Sequence, residues 1–182
     1  GGGALAMGLQ RYLPNLHLYV CDLDDEMDSI ARRYFKFQCN TRTVSFVHEG
    51  VAVINALFES HLHQTLQRQS YVTATATAAA TTATTMDNIG KCTKALPEIP
   101  LSLVDSGMVD FLFIDADCKD TNIGISAPPP SFLRIATLVK IYSILAPGGA
   151  VFINVVARGK ALTQALIRKL KIVFKVQPLD CS

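Results

Sequence analysis

Residues 109–114 read Val-Asp-Phe-Leu-Phe-Ile and run straight into a cluster of acids, Asp115-Ala116-Asp117-Cys118-Lys119-Asp120. A short, nearly unbroken apolar run of this kind is the signal of a buried strand. Similar runs occur at residues 16–21 and 150–156, and stretches with helical spacing lie between them. Strands apolar on both sides belong to a parallel sheet covered on both faces, so the alternation predicts an α/β chain: a three-layer sandwich around a mainly parallel sheet.

In chain order, Leu5, Leu9, Tyr12 and Leu13 recur at helical spacing until Pro14-Asn15 ends the pattern before the strand at 16–21. Asp24 or Asp25 then caps a helix whose apolar positions are Met27, Ile30, Ala31 and Tyr34. Residues 43–47 are β-branched and aromatic enough for a strand, and a helical run follows over 51–67. Every residue from 73 to 85 is Ala or Thr, which marks an insertion or linker over about 70–100 within one domain spanning 1–182. Pro128-Pro129-Pro130 leads into a helix over 131–145, with Phe132, Ile135, Leu138, Val139, Ile141 and Tyr142 as its apolar positions. Pro147-Gly148-Gly149 turns the chain into the strand at 150–156. A helix from Gly159 or Lys160 to Leu170 follows, and residues 172–176 read as a last strand.

With 182 residues, 49% hydrophobic, the chain is long enough for one domain with a substantial core. A formal net charge of +2 gives no reason to propose nucleic acid or an acidic membrane surface as partner. The five cysteines are odd in number and lack C-x-x-C spacing, so reduced thiols in a cytoplasmic protein are the simplest expectation. No apolar run is long enough to span a bilayer, and no leader precedes Gly1. Oligomeric state is not legible.

Three stretches carry candidate chemistry. Gly1, Gly2 and Gly3 open a helix, and Asp22 and Asp24 follow the next strand. Glycines let a ligand approach the backbone, and an acid about 20 residues later accepts from ribose hydroxyls. Glu49-Gly50 closes the strand at 43–47, where a carboxylate accepts from an adenine amino group or simply occupies a surface turn. The acids of 115–120 repel one another unless an amine, a proton or a cation lies among them. An amine must lose its proton before it can attack, so a base or amine-orienting carboxylate suits this cluster best. A capped turn neutralised by Lys119 ranks second and a divalent cation last. His61 and His63, two apart on a helix, point to different faces and do not form a metal site; none is expected.

The order of these features resembles class I S-adenosylmethionine-dependent methyltransferases, which have a Rossmann-like fold. More narrowly, residues 115–120, the triple proline followed by Ser131-Phe132, and Ser143-Ile144-Leu145-Ala146-Pro147-Gly148-Gly149-Ala150-Val151-Phe152-Ile153-Asn154 resemble the carboxy-terminal domain of the elongation factor 1-alpha lysine and N-terminal methyltransferases, itself similar to spermidine synthases. The resemblance implies methyl transfer from S-adenosylmethionine to a protein amine, N-terminal or lysine, with elongation factor 1-alpha as candidate substrate. It places Gly1, Gly2 and Gly3 at the methionine end of the cofactor and Asp22 at the ribose. Glu49 and Gly50 flank adenine, and Asp115 and Asp117 lie nearest the sulfonium and the incoming amine, with Asp120 less firmly placed.

Two departures stand out: the central first strand is missing before the glycines, and the chain stops soon after Val176. Both lead to the expectation of a fragment poorly active in isolation. An aminopropyltransferase, an NAD-dependent oxidoreductase and a non-catalytic binding module are the rival functions.

Overall fold

The computed structural model describes residues 3–77, 99–118 and 124–175, with backbone alone for 71–77. Gly1, Gly2, Lys119, Asp120 and Val176 lie outside the described residues, as does most of the Ala/Thr tract. In chain order the elements are α1 (Ala4–Tyr12), β1 (Leu18–Asp22), α2 (Asp25–Phe35), β2 (Thr43–Val47), α3 (Gly50–Thr77), α4 (Leu101–Ser106), β3 (Val109–Ile114), β4 (Ile125–Ala127), α5 (Ile135–Ile144), β5 (Leu145–Ile153), β6 (Val156–Ala157) and α6 (Lys160–Leu170).

The apolar runs form parallel strands, as expected. β1 pairs with β2, from Leu18 opposite Thr43 to Asp22 opposite Val47. β3 pairs with β5 and ends with Ile114 opposite Ile153. A short antiparallel pair joins β4 to β6. Among the described residues, no strand ladder joins the β1–β2 pair to the β3–β5 pair.

Successive strand residues face opposite ways, so β1 meets helices on both of its faces, whereas the buried-strand expectation for 109–114 holds on one face only. Val20 packs with Ala6 and Met7 of α1, Ala31 of α2 and Phe37 in a small core. Its neighbour Tyr19 packs instead on the main core, built from Val53, Ile54 and Leu57 of α3, Ile114 of β3, Leu138, Ile141 and Ile144 of α5, and Leu166 and Leu170 of α6. Leu112 and Ile114 of β3 and Val151 and Ile153 of β5 also join that core. The alternate positions Phe111, Phe113 and Phe152 keep 51%, 39% and 39% of their surface exposed. Phe113 and Phe152 stack with ring centroids 4.8 Å apart, and Phe111 is tilted against Phe152 at 6.4 Å.

Several expectations need correction. Residues 172–174 form turns that prolong the end of α6, with the Val173 and Phe174 amides donating to the Leu170 carbonyl, so they are not a strand. Residues 147–149 belong to β5, whose register against β3 shifts between Val109 and Phe111. A Cβ on Gly149 would lie 2.7 Å from the Asp110 carbonyl oxygen, so only glycine permits this approach.

The strand expected over 150–156 is divided between β5 and β6. α3 continues into the Ala/Thr tract as far as Thr77. Ala6, not Leu5 or Tyr12, is the buried residue of α1, and Ile30, Tyr34, Ile135, Val139 and Tyr142 are exposed. Those large side chains matched a helical period, but the period alone does not say which face meets the sheet.

Candidate functional site

A helix that follows a strand in a parallel sheet begins at the strand's carboxyl edge. β1 ends in Asp22, whose Oδ1 accepts from the Asp24 amide at 3.2 Å. Asp24 in turn is the N-cap of α2, its Oδ1 accepting from the Glu26 amide at 3.0 Å. The capping expectation therefore holds for Asp24, and one of its oxygens is engaged by its own helix. β2 leads into His48, whose amide donates to the Asp22 carbonyl at 2.9 Å. Glu49 then caps α3 with both carboxylate oxygens, accepting from the Val51 amide at 3.0 Å and the Ala52 amide at 2.7 Å.

Charge at this edge is negative. The Cys21 thiol, 3.2 Å from the His48 carbonyl oxygen, loses hydration there, and Asp22 and Glu49 add like-charge repulsion; together these push it up to about 11. Loss of hydration is the larger cause; the smaller repulsion from Asp22 and Glu49 is of the sign that favours a cationic ligand.

The second parallel pair brings its own acids. β3 ends at Ile114 and delivers Asp115 and Asp117, both exposed. Asp115 Oδ1 accepts from Asn154 Nδ2 at 2.7 Å, and the Asn154 amide donates to the Ile114 carbonyl at 2.9 Å. Residues after β2 and after β3 each meet the segment from β4 to Phe132. A Cβ on Gly50 would lie 2.9 Å from Phe132 Cζ, and the Cys118 amide donates to the Ser126 carbonyl at 2.6 Å in the segment leading to Phe132. Asp22 and Glu49 thus lie at the carboxyl ends of β1 and β2, and Asp115 and Asn154 at those of β3 and β5. A cavity of about 230 Å³ lies at the other end of β1 and β2, where Arg42 and Thr43 enter β2 and Leu13 and Pro14 leave α1.

No family model matches the chain. It is similar to eEF1A lysine and N-terminal methyltransferases: 25% identical to that of Danio rerio and 24% to that of Homo sapiens, each over 96% of this chain. The chain spans 19% of the length of these relatives. Its fold matches the crystal structure of human methyltransferase-like protein 13 in complex with SAH, at a TM-score of 0.66 and 23% identity, over 97% of this chain and 60% of that one.

This chain has a class I methyltransferase fold.

Within that fold the individual site residues fare differently. Gly3 has a positive φ of 75° at the start of α1 and lies against the Phe37 ring, so a structural demand accounts for this glycine. Gly1 and Gly2 lie outside the described residues, as does Asp120. Gly50 is confined by Phe132, a packing demand that needs no ligand. Asp22, Asp115 and Asp117 keep positions at the carboxyl edge.

Asn154 was not among the candidate residues read from the sequence. The signal that singled out Asp115, a polar residue directly after an apolar strand, was present there too, since Asn154 follows Val151, Phe152 and Ile153. Among the described residues no group of three His, Cys, Asp or Glu is arranged to hold a metal ion, and no helix is long and apolar enough to cross a membrane.

Proposed function

We propose that the chain is the catalytic domain of an S-adenosylmethionine-dependent methyltransferase acting on a protein amine, a lysine or an N-terminus. The observation that carries this reading is the likeness over almost the whole chain to eEF1A lysine and N-terminal methyltransferases and to an SAH-bound methyltransferase-like fold, with Asp22 and Asp115 each at the carboxyl end of a parallel strand. Elongation factor 1-alpha is the candidate substrate, in keeping with the names of the relatives. The chain reads as one domain carrying an insertion at about 70–100, working in the cytoplasm.

S-adenosylmethionine, when bound, supplies a methyl group on a positively charged sulfur. The negative edge around Cys21 suits that charge. In this reading Asp22 accepts from ribose hydroxyls. Glu49, the cap of α3, flanks the adenine side, each of its oxygens keeping a second lone pair beyond its helix bond. Asp115 and Asp117 hold the incoming amine and accept its proton, so that the nitrogen lone pair is exposed. Positioning is the main contribution of such a site, because a methyl group on sulfonium is already activated.

The test is transfer of a labelled methyl group to purified elongation factor 1-alpha by the full-length protein, with decarboxylated S-adenosylmethionine as a parallel donor. Label is expected on an amine of the protein. Asp115→Ala and Asp117→Ala are expected to lower kcat about 100-fold with little change in cofactor affinity. Aminopropyl transfer without methyl transfer, or unchanged turnover in both variants, overturns the assignment.

A further inference from the structure

We propose that Asn154 is a positioning residue for Asp115, an inference that rests on the amine-transfer reading above. Two hydrogen bonds from one residue motivate it. The Asn154 amide donates to the Ile114 carbonyl at 2.9 Å, and its side-chain Nδ2 donates to Asp115 Oδ1 at 2.7 Å. The main-chain bond alone continues the β3–β5 ladder to the strand ends, so register does not require the side chain.

What the side chain does is restrict a carboxylate. An Asp carboxyl group turns about a broad, roughly two-fold torsion, and Asp115 is exposed, so packing does not fix it. One amide donor pins Oδ1 and so orients Oδ2 for the incoming amine. The residue type matters as much as the place. An amide is a donor that carries no charge, so it can hold a carboxylate without competing as a counter-ion for the positively charged amine that must arrive. A lysine or arginine at 154 would form a stronger pair and oppose the substrate's approach.

The experiment uses the full-length protein and four forms beside wild type: Asn154→Ala, Asn154→Asp, Asp115→Ala and the Asp115→Ala/Asn154→Ala double variant. Steady-state kinetics with the amine substrate, calorimetric binding of S-adenosylmethionine and thermal melting are measured for each. Asn154→Ala is expected to lower kcat about 10- to 100-fold with cofactor affinity and melting unchanged. Asn154→Asp keeps the shape but replaces the donor with a second negative charge, so at least the same loss is expected. In the Asp115→Ala background, removing Asn154 is expected to cost nothing further.

Full turnover in Asn154→Asp, or independent and multiplicative losses in the double variant, overturns the proposal while leaving the methyltransferase reading intact. A wild-type protein that neither binds S-adenosylmethionine nor methylates an amine removes both.

Discussion

Gly149 illustrates how a single residue sets the geometry on which the candidate site depends. Its missing Cβ makes room for the Asp110 carbonyl oxygen of β3 and the Ala146 carbonyl oxygen of β5 itself where the β3–β5 register shifts. Gly149→Ala has no flexible neighbour to displace, since both nearest atoms are backbone. The expected loss is about 1–3 kcal/mol, read as a lower urea midpoint; an unchanged midpoint would show that the backbone relaxes there at no cost. This residue was read as part of a turn, because Pro-Gly-Gly gives no sign of the partner strand it must approach. Asp115 was more legible, since an acid directly after six strand residues stands out in any α/β pattern. Glu49 was legible as an acid at the right edge, but sequence cannot show that both of its oxygens cap the helix it opens.

At the scale of elements, α2 is held to β2 by a polar contact and to α1 and β1 by its small core. Asp28 accepts from Arg32 Nε at 2.6 Å and from Ser45 Oγ at 2.5 Å. The guanidinium bond, reinforced by Ser45 against some loss of hydration, holds the Asp28 carboxyl below its usual 3.8. The native state thus binds this proton more weakly than the unfolded chain does. The contribution is complete above the usual carboxylate range and disappears as pH falls through the lowered native value. Because Arg32 is 43% exposed, solvent weakens the pair, and Asp28→Asn is expected to cost only about 0.5–1 kcal/mol at pH 7. Urea titrations at pH 7 and pH 3 check this: the gap between wild type and variant should narrow at the lower pH, and a widening gap would contradict it.

The sequence made some elements plain and hid others. β1, β2 and β3 were visible because apolar and β-branched residues run almost without interruption. α4 and β4 were not, since six and three residues are too few for a period to show. Residues 172–174 misled because an apolar stretch after a helix serves equally to close the helix end, as Val173 and Phe174 do against the main core.

For the molecule as a whole, alternation of strand and helix was enough to anticipate the layered α/β architecture, because parallel strands need crossover connections, usually helices, between them. It did not reveal that the described strands form separate hydrogen-bonded pairs, or that Phe113 stacks on Phe152 with Phe111 tilted beside it on the face away from the main core. Both properties depend on contacts distant in sequence.

The central claim is a division of labour between two strand ends, with Asp22 serving the cofactor and Asp115 the amine. Calorimetric titration of the full-length protein with S-adenosylmethionine, comparing wild type, Asp22→Ala and Asp115→Ala, tests it most directly. Loss of a charged hydrogen-bond acceptor corresponds to about 1.5–3 kcal/mol, so Asp22→Ala should weaken binding roughly 10- to 100-fold while Asp115→Ala stays near wild type. Equal affinities for wild type and Asp22→Ala, or no binding by wild type, would contradict the account.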